Sequence, residues 1–208
     1  GNLKYTLVYV PEGNMPDYIG NNDDFDRSED IGDDNDAKHL INQYTQVVTE
    51  VDDHVTVRKF VSGQKDREEI LSDFADGRLQ VLTSMKCLDE GVNIPKIKTA
   101  FILASTTNPK EYIQRRGRVL RLAEGKEYAE IYDFITLPYD TESVTSLTEA
   151  QVKRNSTLVK NELRRAEEFS RIAVNMVESA SLIDEIKDAY GIQELNWNNE
   201  EEDYGYGF

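Results

Sequence analysis

The sequence has little of the chemistry that would cross-link its fold or anchor it in a membrane. Cys87 is the single cysteine among 208 residues, so no disulfide can form within the chain, and we expect a cytoplasmic protein in a reducing compartment. No apolar run approaches the ~18 residues that a membrane span needs, and the first residues lack a signal-peptide pattern, so we expect no membrane partner. The chain begins with Gly1 rather than methionine, and we expect the natural protein to extend upstream.

The residues that many enzymes use as nucleophiles or metal ligands are also scarce. The two histidines, His39 and His54, lie in a predicted helix and a predicted turn without an evident partner. No spacing of histidine and cysteine suits zinc, and we expect Cys87 to pack as a small apolar side chain. We therefore predict no metal site. Nothing supports a small-molecule enzyme, although doubly wound sheets host many chemistries.

Two sequence patterns of ATP hydrolysis are missing as well. The pattern G-x-x-x-x-G-K-[ST], whose backbone surrounds the phosphates of a nucleotide, does not occur in the chain. An acidic D-E-x-[DH] box is also absent, because the acidic pairs lie at Asp89-Glu90 and in the run Glu200–Asp203. These absences exclude a complete nucleotide site of the phosphate-loop kind within this chain.

Positive charge is scarce overall but concentrated in the middle of the chain. The formal net charge is −16, yet the segment Val55–Lys126 has 14 Lys and Arg against 9 Asp and Glu. An acidic protein is a poor general binder of nucleic acid, but binding depends on the local field. The basic middle therefore keeps nucleic acid among the expected partners.

The most acidic stretch, residues 22–36, has eight acidic residues and one arginine. Such a composition is typical of a solvated or disordered loop, and we interpret it as an insertion in the first domain. A calcium-binding site is the more specific alternative for this stretch. The spacing does not follow the twelve-residue calcium loop with its closing glutamate, so we favour the loop.

Strand and helix patterns alternate through the first 140 residues. Aromatic and β-branched runs predict five strands, at 5–10, 55–61, 79–82, 98–104 and 128–136. Amphipathic stretches predict helices at 37–51 and 66–75 and a third that follows Asn108-Pro109, with Asp36 and Asn108 as N-caps and Gly77 and Gly125 as stops. This alternation predicts an α/β fold, with a mainly parallel sheet and helices on both faces.

A helical extension follows at residues 141–192. Ser146 and Glu149 form a capping-box pattern, and apolar residues at helical spacing predict one long amphipathic helix that reaches Met176. A second helix is predicted for Ser181–Tyr190, ending at Gly191. We expect the acidic tail at 193–208 to be disordered.

Four arginines and Gly117 fall within the seven residues Arg115–Arg121. In a helix, Arg118 and Arg121 would project from one face, and each guanidinium presents a rigid fork of donors that matches phosphate oxygens. Taken alone, the cluster is more typical of a solvated basic helix face that pairs with nearby carboxylates.

Two further segments follow predicted strands, as the arginine helix also does. Ser62-Gly63 follows the second strand, and Thr83–Pro95 follows the third. We expect the hydroxyls and N–H groups of Thr83 and Ser84 just past the strand end, where they suit backbone phosphate. In parallel sheets, ligands bind at the carboxyl ends of the strands, so all three segments are candidates for one site.

These segments resemble known motifs in their sequence and order. Gln114–Arg121, written Q-R-R-G-R-V-L-R, resembles motif VI of superfamily 2 helicases, Q-x-x-G-R-x-x-R, and Thr83–Pro95 resembles their motif V. Tyr5–Val10 is similar to motif IV, and Phe60–Glu69 to the segment that follows it. The resemblance covers roughly residues 3–138. It implies a second RecA-like domain, nearest in kind to the XPB-like and restriction-enzyme-like DEAD/DEAH branch.

The resemblance implies a role for each matching residue. Arg118 and Arg121 would be arginine fingers on the ATP phosphates, with Gln114 near the nucleotide or the attacking water. Gly91 and Asn93 would approach the nucleotide, although many relatives have aspartate where Asn93 stands.

For nucleic acid, the same resemblance implies that Ser62, Gly63, Thr83 and Ser84 contact backbone phosphates. ATP and Mg²⁺ would then be bound jointly with an N-terminal RecA-like domain that is not in this chain. We expect DNA as the nucleic acid, with RNA possible, and no ATP hydrolysis by this chain alone. The alternative function is a non-catalytic nucleic-acid- or protein-binding module derived from such a domain.

Overall fold

The computed structural model describes residues 3–11, 34–51, 54–61, 63–85, 94, 96–103 and 109–195. The chain divides into two compact units, residues 1–106 with 110–134 and residues 107–109 with 135–208. We call them the sheet unit and the helical unit; the sequence predicts their boundary after residue 140, whereas the units divide after Phe134. Most of the acidic segment, residues 22–33, lies outside the described residues, and so does the end of the tail at 196–208.

The sheet unit has the predicted alternation of strands and helices. Its elements are β1 (Thr6–Tyr9), α1 (Asp34–Val51), β2 (Val57–Phe60), α2 (Arg67–Ala75), β3 (Val81–Ser84), β4 (Thr99–Ile102), α3 (Pro109–Val119) and β5 (Glu130–Asp133). Within the described residues these strands form one sheet in the order β2-β3-β1-β4-β5, and every pair is parallel.

Burial along the strands follows their place in the sheet. Every residue of β1 and β3 is buried, whereas β2 and β5 at the two edges alternate in exposure. Strands that are covered on both faces need continuous apolar runs, which is why Thr6–Tyr9 is such a clear strand in the sequence. The edge strands can expose every second side chain to solvent.

The direction of each crossover decides which face a helix covers. The chain runs toward one edge from β1 to β2, and toward the other from β2 to β3 and from β4 to β5. Because such crossovers are right-handed, α1 lies on one face, and α2 and α3 lie on the other. In agreement, Ile41 of α1 packs with Val8 and Val81, whereas Phe74 of α2 meets Tyr5 edge to face. The predicted parallel sheet with helices on both faces is confirmed.

Helix ends in the sheet unit were predicted less well than helix centres. Gly77 follows α2 with a φ of +73°, a left-handed conformation that favours glycine, so this predicted stop is confirmed. Asp36 is not the N-cap of α1, because the helix begins at Asp34. Asn108 lies outside the described residues.

The helical unit contains α4 (Thr141–Val144), α5 (Glu149–Ser170) and α6 (Met176–Tyr190). Val159 and Leu163 of α5 are fully buried and pack with Ile183, Ile186 and Tyr190 of α6. The Tyr190 hydroxyl also donates to the backbone carbonyl of Tyr139, at 2.6 Å. This second core is separate from the core of the sheet unit and includes the residues that precede α4.

The cap of α5 differs from the prediction. Thr148 is the N-cap and forms a capping box with Gln151, so the predicted pair of Ser146 and Glu149 is wrong. The Ser146 hydroxyl instead donates to the Ser143 carbonyl at 2.7 Å. The Ser146 side chain therefore belongs to the turn after α4, and α5 begins two residues later than the sequence suggests.

One long helix to Met176 was also a wrong prediction. The helix α5 ends at Ser170, and the Ala173 N–H donates to the Ser170 carbonyl at 3.0 Å to close a turn. The sequence continues the apolar spacing through this turn, but Ile172 and Val174 are 60% and 89% exposed. The apolar spacing in this turn therefore does not indicate a buried helix face. The second helix correspondingly begins at Met176 rather than Ser181, and it ends before Gly191 as predicted.

A buried ion pair lies within the helical unit. Arg165 is 1% exposed, and its guanidinium donates to both carboxylate oxygens of Glu162, at 3.0 and 2.9 Å. The same carboxylate accepts the backbone N–H of Thr136 at 2.9 Å. A buried charge is tolerable when hydrogen bonds and an opposite charge satisfy it. Through the bond from Thr136, the pair also connects α5 to the segment that precedes α4.

None of the described helices is long and apolar enough to cross a membrane.

We expect Arg165→Met to lower the free energy of unfolding by about 3–5 kcal/mol, because Glu162 is left as an unpaired buried charge. Arg171→Ala is the matched control on the same helix, since Arg171 is half exposed and pairs with Glu167 and Glu168 at the surface. The Arg171→Ala substitution should lower the free energy of unfolding by less than about 1 kcal/mol. Urea unfolding followed by circular dichroism measures both. Equal effects of the two substitutions would show that the buried pair adds nothing.

Candidate functional site

The helix α3 presents its arginines in two different environments. Arg115 is only 6% exposed, whereas Arg116 and Arg118 are partly buried and Gln114 is exposed. Gln114 precedes Arg118 by four residues, so the two share one face of the helix. Gly117 lies between them, and nothing in the described structure is within 4 Å of the position that a Cβ would take.

Arg115 anchors α3 to the sheet. Its guanidinium carbon lies 5.2 Å from the centre of the Tyr9 ring, at the carboxyl end of β1. Its terminal nitrogen is 3.8 Å from the carboxylate of Glu111, one turn earlier on the helix. A buried guanidinium over an aromatic face is stabilised by the ring quadrupole, so this contact determines where the helix lies on the sheet.

Arg118 and Arg121 do not lie in one helix, contrary to what the prediction assumed. The helix ends at Val119, and the Arg121 N–H donates to the Arg118 carbonyl at 3.4 Å. That bond spans three residues, as in the tighter turns that often end helices. We call residues Arg118–Arg121 the arginine turn: its first arginine is helical and its last lies beyond the helix.

Lys126 bridges the end of this turn, and sequence reasoning missed it. Its Nζ donates to the Val119 carbonyl and, at 2.8 Å, to the Arg121 carbonyl. Burial lowers the pKa of Lys126, and the nearby charge of Lys98 lowers it further. Gly125 does not stop the helix as predicted, because α3 has already ended; its φ of +70° instead turns the chain just before Lys126.

The carboxyl edge of the sheet brings several predicted site segments together. Tyr9 and Phe60 are each paired in register with Ser84, so the ends of β1, β2 and β3 lie side by side. Arg67 lies over the Phe60 ring at 4.5 Å, much as Arg115 lies over Tyr9. Two arginine–aromatic contacts therefore flank this edge, one from α2 and one from α3.

Thr83 and Ser84 do not lie past the strand end, and that prediction is wrong. They are the last two residues of β3, and both are completely buried. The Thr83 hydroxyl is 2.6 Å from the hydroxyl of Thr45 on α1, and the Ser84 hydroxyl donates to the Phe60 carbonyl at 3.2 Å. These hydroxyls stabilise the edge from inside the sheet unit.

The loop after β2 is more open. Gly63 has a φ of +72°, and apart from its own chain neighbours no atom of the described residues lies within 4 Å of the position of a Cβ. The Val61 N–H donates to the Gln64 side chain at 3.2 Å, and the Val61 carbonyl accepts from Arg67 at 3.5 Å. The backbone of this loop is thus shaped by its neighbours while Gly63 faces open space. Ser62, Gly91 and Asn93 lie outside the described residues.

A groove of about 390 Å³ lies elsewhere, between α1 and β2. Its lining includes the polar side chains of Asn42, Gln46 and Lys59 but none of the predicted site residues. Among the described residues no group of His, Cys, Asp and Glu could hold a metal ion. The calcium alternative for residues 22–36 falls mainly outside the described part of the chain.

Comparison with known proteins identifies the sheet unit. Residues 37–123 match the family model of the helicase conserved C-terminal domain. The chain carries the C-terminal domain of a superfamily 2 helicase. The parallel sheet flanked by helices is accordingly RecA-like. The predicted family is confirmed, whereas the assignment of the individual motifs stays a prediction.

The relatives of this helicase C-terminal domain are much longer than the chain. DNA 3'-5' translocase XPB2 of Sulfurisphaera tokodaii is 33% identical over 67 residues, which are 32% of this chain and 15% of that protein. Two further curated relatives, from a Sulfolobus islandicus filamentous virus and from Saccharomyces cerevisiae, match over stretches that make up 13% and 10% of their length.

Several solved structures are also similar to this chain, among them the following two. The alignment with the Hef helicase domain of Pyrococcus furiosus covers 64% of this chain and 23% of the Hef chain, at 21% identity and a TM-score of 0.35. A second similar structure is that of the ATP-dependent Type ISP restriction-modification enzyme LlaBIII bound to DNA. The alignment covers 93% of this chain and 13% of the LlaBIII chain, at 16% identity and a TM-score of 0.49.

We expect Arg115→Ala to lower the free energy of unfolding by about 2 kcal/mol or more, because a desolvated cation–π contact is lost. Arg116→Ala, one residue further on and partly exposed, is the matched control and should cost less than about 1 kcal/mol. Urea unfolding of the 208-residue chain measures both. If the two variants unfold at the same urea concentration, Arg115 does not anchor the helix.

Proposed function

We propose that this chain is the second motor domain of an ATP-dependent nucleic-acid helicase or translocase. The observation that carries the proposal is the arginine turn: two guanidiniums at the end of a helix that Arg115 attaches to the carboxyl edge of the sheet. Guanidinium groups are suited to phosphate because their forked donors match its oxygens. The similarity to XPB2 supports the XPB-like branch within the superfamily and DNA, rather than RNA, as the preferred nucleic acid.

In this function, Arg118 and Arg121 act as arginine fingers. As the bond to the terminal phosphate breaks, charge develops on the phosphate oxygens, and an arginine finger stabilises that charge. Gln114 shares the helix face of Arg118, so its amide can orient the nucleotide or the attacking water next to the finger. Gly91 and Asn93 retain their proposed place beside the nucleotide, with the Asn93 amide bonded to a ribose hydroxyl.

The residues present fit one half of an ATP site. The arginine turn can hold phosphate oxygens, but the chain has no phosphate-loop pattern. The described residues also offer no group of carboxylates for Mg²⁺. We therefore assign the phosphate loop and the magnesium ligands to a preceding RecA-like domain of the same polypeptide, with ATP bound between the two domains. The magnesium ion would neutralise phosphate charge when bound.

Nucleic-acid contacts are proposed for the loop after β2. Ser62 and Gly63 can approach a backbone phosphate, since Gly63 faces open space and carries no side chain that would obstruct it. Contacts to phosphate carry no sequence information directly, as a stepping motor requires. Thr83 and Ser84 are proposed to support this edge from within, because their hydroxyls are bonded to protein partners.

We expect Arg118→Ala and Arg121→Ala each to reduce ATP turnover of the full-length protein about a thousand-fold or more, because the transition-state charge loses a donor. The assay is steady-state ATP hydrolysis with and without single- and double-stranded DNA and RNA. Arg78→Ala is the matched control, since Arg78 pairs with Asp73 and Asp76 at the surface before β3. Its turnover should equal that of the parent protein.

Normal turnover in both finger variants would contradict the motor assignment. A full-length parent protein that binds nucleic acid but hydrolyses no ATP under any of these conditions would instead support the alternative, a non-catalytic binding module. The acidic net charge of −16 makes that alternative worth an explicit test.

We also expect the 208-residue chain alone to hydrolyse no ATP above background, because it supplies the arginines without a phosphate loop. A sensitive phosphate-release assay with saturating ATP, Mg²⁺ and nucleic acid measures this. Turnover that is lost in Arg118→Ala of the same chain would show that it has a complete active site of its own.

A further inference from the structure

The segment after α3 is folded back on the end of that helix. The Lys126 N–H donates to the Ala123 carbonyl at 3.1 Å, and Gly125 adopts its left-handed conformation between them. This backbone turn directs the Lys126 side chain toward the end of α3. Its ammonium then donates to the two carbonyls on either side of Leu120, those of Val119 and Arg121.

These two carbonyls belong to the stretch of backbone that determines where Arg121 lies. Arg121 is outside the helix, and the bond from its N–H to the Arg118 carbonyl is long, at 3.4 Å. A hydrogen bond to a charged donor is roughly twice as strong as one between neutral groups. The ammonium therefore supplies the stronger restraint on the peptide planes around Leu120. Placing a cation at the negative end of a helix is favourable as well.

The ammonium is held there despite the cost of partial burial. Burial and the charge of Lys98 both disfavour the protonated form, which lowers the pKa of Lys126. A lysine on an exposed loop could keep its charge in water without that cost. Bonds to two carbonyls are the compensation that the structure provides.

We propose that Lys126 is a positioning residue for the arginine finger Arg121. Its ammonium bridges the Val119 and Arg121 carbonyls and so determines the direction in which the arginine turn presents the Arg121 guanidinium. Lys126 itself does not need to touch the nucleotide. The inference rests on the proposed function, because positioning matters to turnover only if Arg121 acts on a phosphate.

The test uses the full-length protein and measures ATP hydrolysis, including single-turnover rates that resolve slow variants. We expect Lys126→Met to lower kcat by on the order of tenfold to a hundredfold, since a small displacement of a catalytic group can cost that much. The KM for ATP should change much less. Lys126→Arg should restore most of kcat, because a guanidinium can also donate to two carbonyls. Lys98→Met, which removes the neighbouring charge, is the matched control and should leave kcat unchanged.

A double variant separates positioning from a general loss of structure. If Lys126 acts through Arg121, the combination Arg121→Ala with Lys126→Met should hydrolyse ATP no more slowly than Arg121→Ala alone. The inference is overturned if Lys126→Met turns over within about twofold of the parent, or if it slows the Arg121→Ala protein by the same factor as the parent. Thermal unfolding of each variant identifies any loss of fold, and Lys126→Arg remains informative if Lys126→Met unfolds.

The outcomes also distinguish this inference from the proposed function. Loss of turnover in Arg121→Ala with normal turnover in Lys126→Met would overturn the role of Lys126 alone. Normal turnover in both Arg118→Ala and Arg121→Ala would overturn the motor assignment, and the inference with it.

Discussion

The contact between the Arg115 guanidinium and the Tyr9 ring is the interaction on which the candidate site depends. Tyr9 ends the central strand of the sheet, and Arg115 lies in the middle of the helix that carries the other arginines. Because this arginine is buried, it cannot also bind a ligand in solution. Its role is to place α3, so that its neighbours in the sequence can be used for chemistry.

The arginine cluster is therefore not one uniform basic face. Within seven residues it contains a buried anchor, two partly buried helical arginines and an arginine beyond the helix end. Lys126 donates to the backbone carbonyl of the last. An acidic protein can use such a cluster because the relevant field is local. The carboxylates of the chain reduce general attraction to polyanions, whereas the arginines of this cluster make the local charge positive.

Much of the fold could be predicted from the sequence, because strong local signals and global packing agree there. Thr6–Tyr9 is rich in β-branched and aromatic residues and lies buried at the sheet centre, and Gly77 ends α2 in the conformation that favours glycine. Predictions failed where a local pattern had two solutions. Ser146 and Thr148 can both cap a helix, and only packing in the helical unit selects Thr148. Thr83 and Ser84 were placed outside their strand because the length of β3 depends on its pairing with Tyr9 and Phe60, which are distant in sequence.

For the site, the sequence predicted that the ends of neighbouring strands meet at one edge, but not the environment of each arginine. The motif places Arg118 and Arg121 three residues apart, and ideal helix geometry would align them. The helix ends between them, where Lys126 donates to the Val119 and Arg121 carbonyls, and the motif alone does not predict that contact. The buried role of Arg115 was equally invisible, since its partner Tyr9 precedes it by about a hundred residues.

The order of strands in the sheet has a consequence for biosynthesis. The central strand β1 is the first to leave the ribosome, but its partners begin 75 and 93 positions later, as the pairs Thr6 with Val81 and Thr6 with Thr99 show. Until then a strand that is fully buried in the folded domain has no sheet to join, and pairing of this kind over long sequence separations is slow. During translation the nascent domain must therefore keep its most aggregation-prone segment unpaired, and it becomes competent to fold only when β4 has emerged.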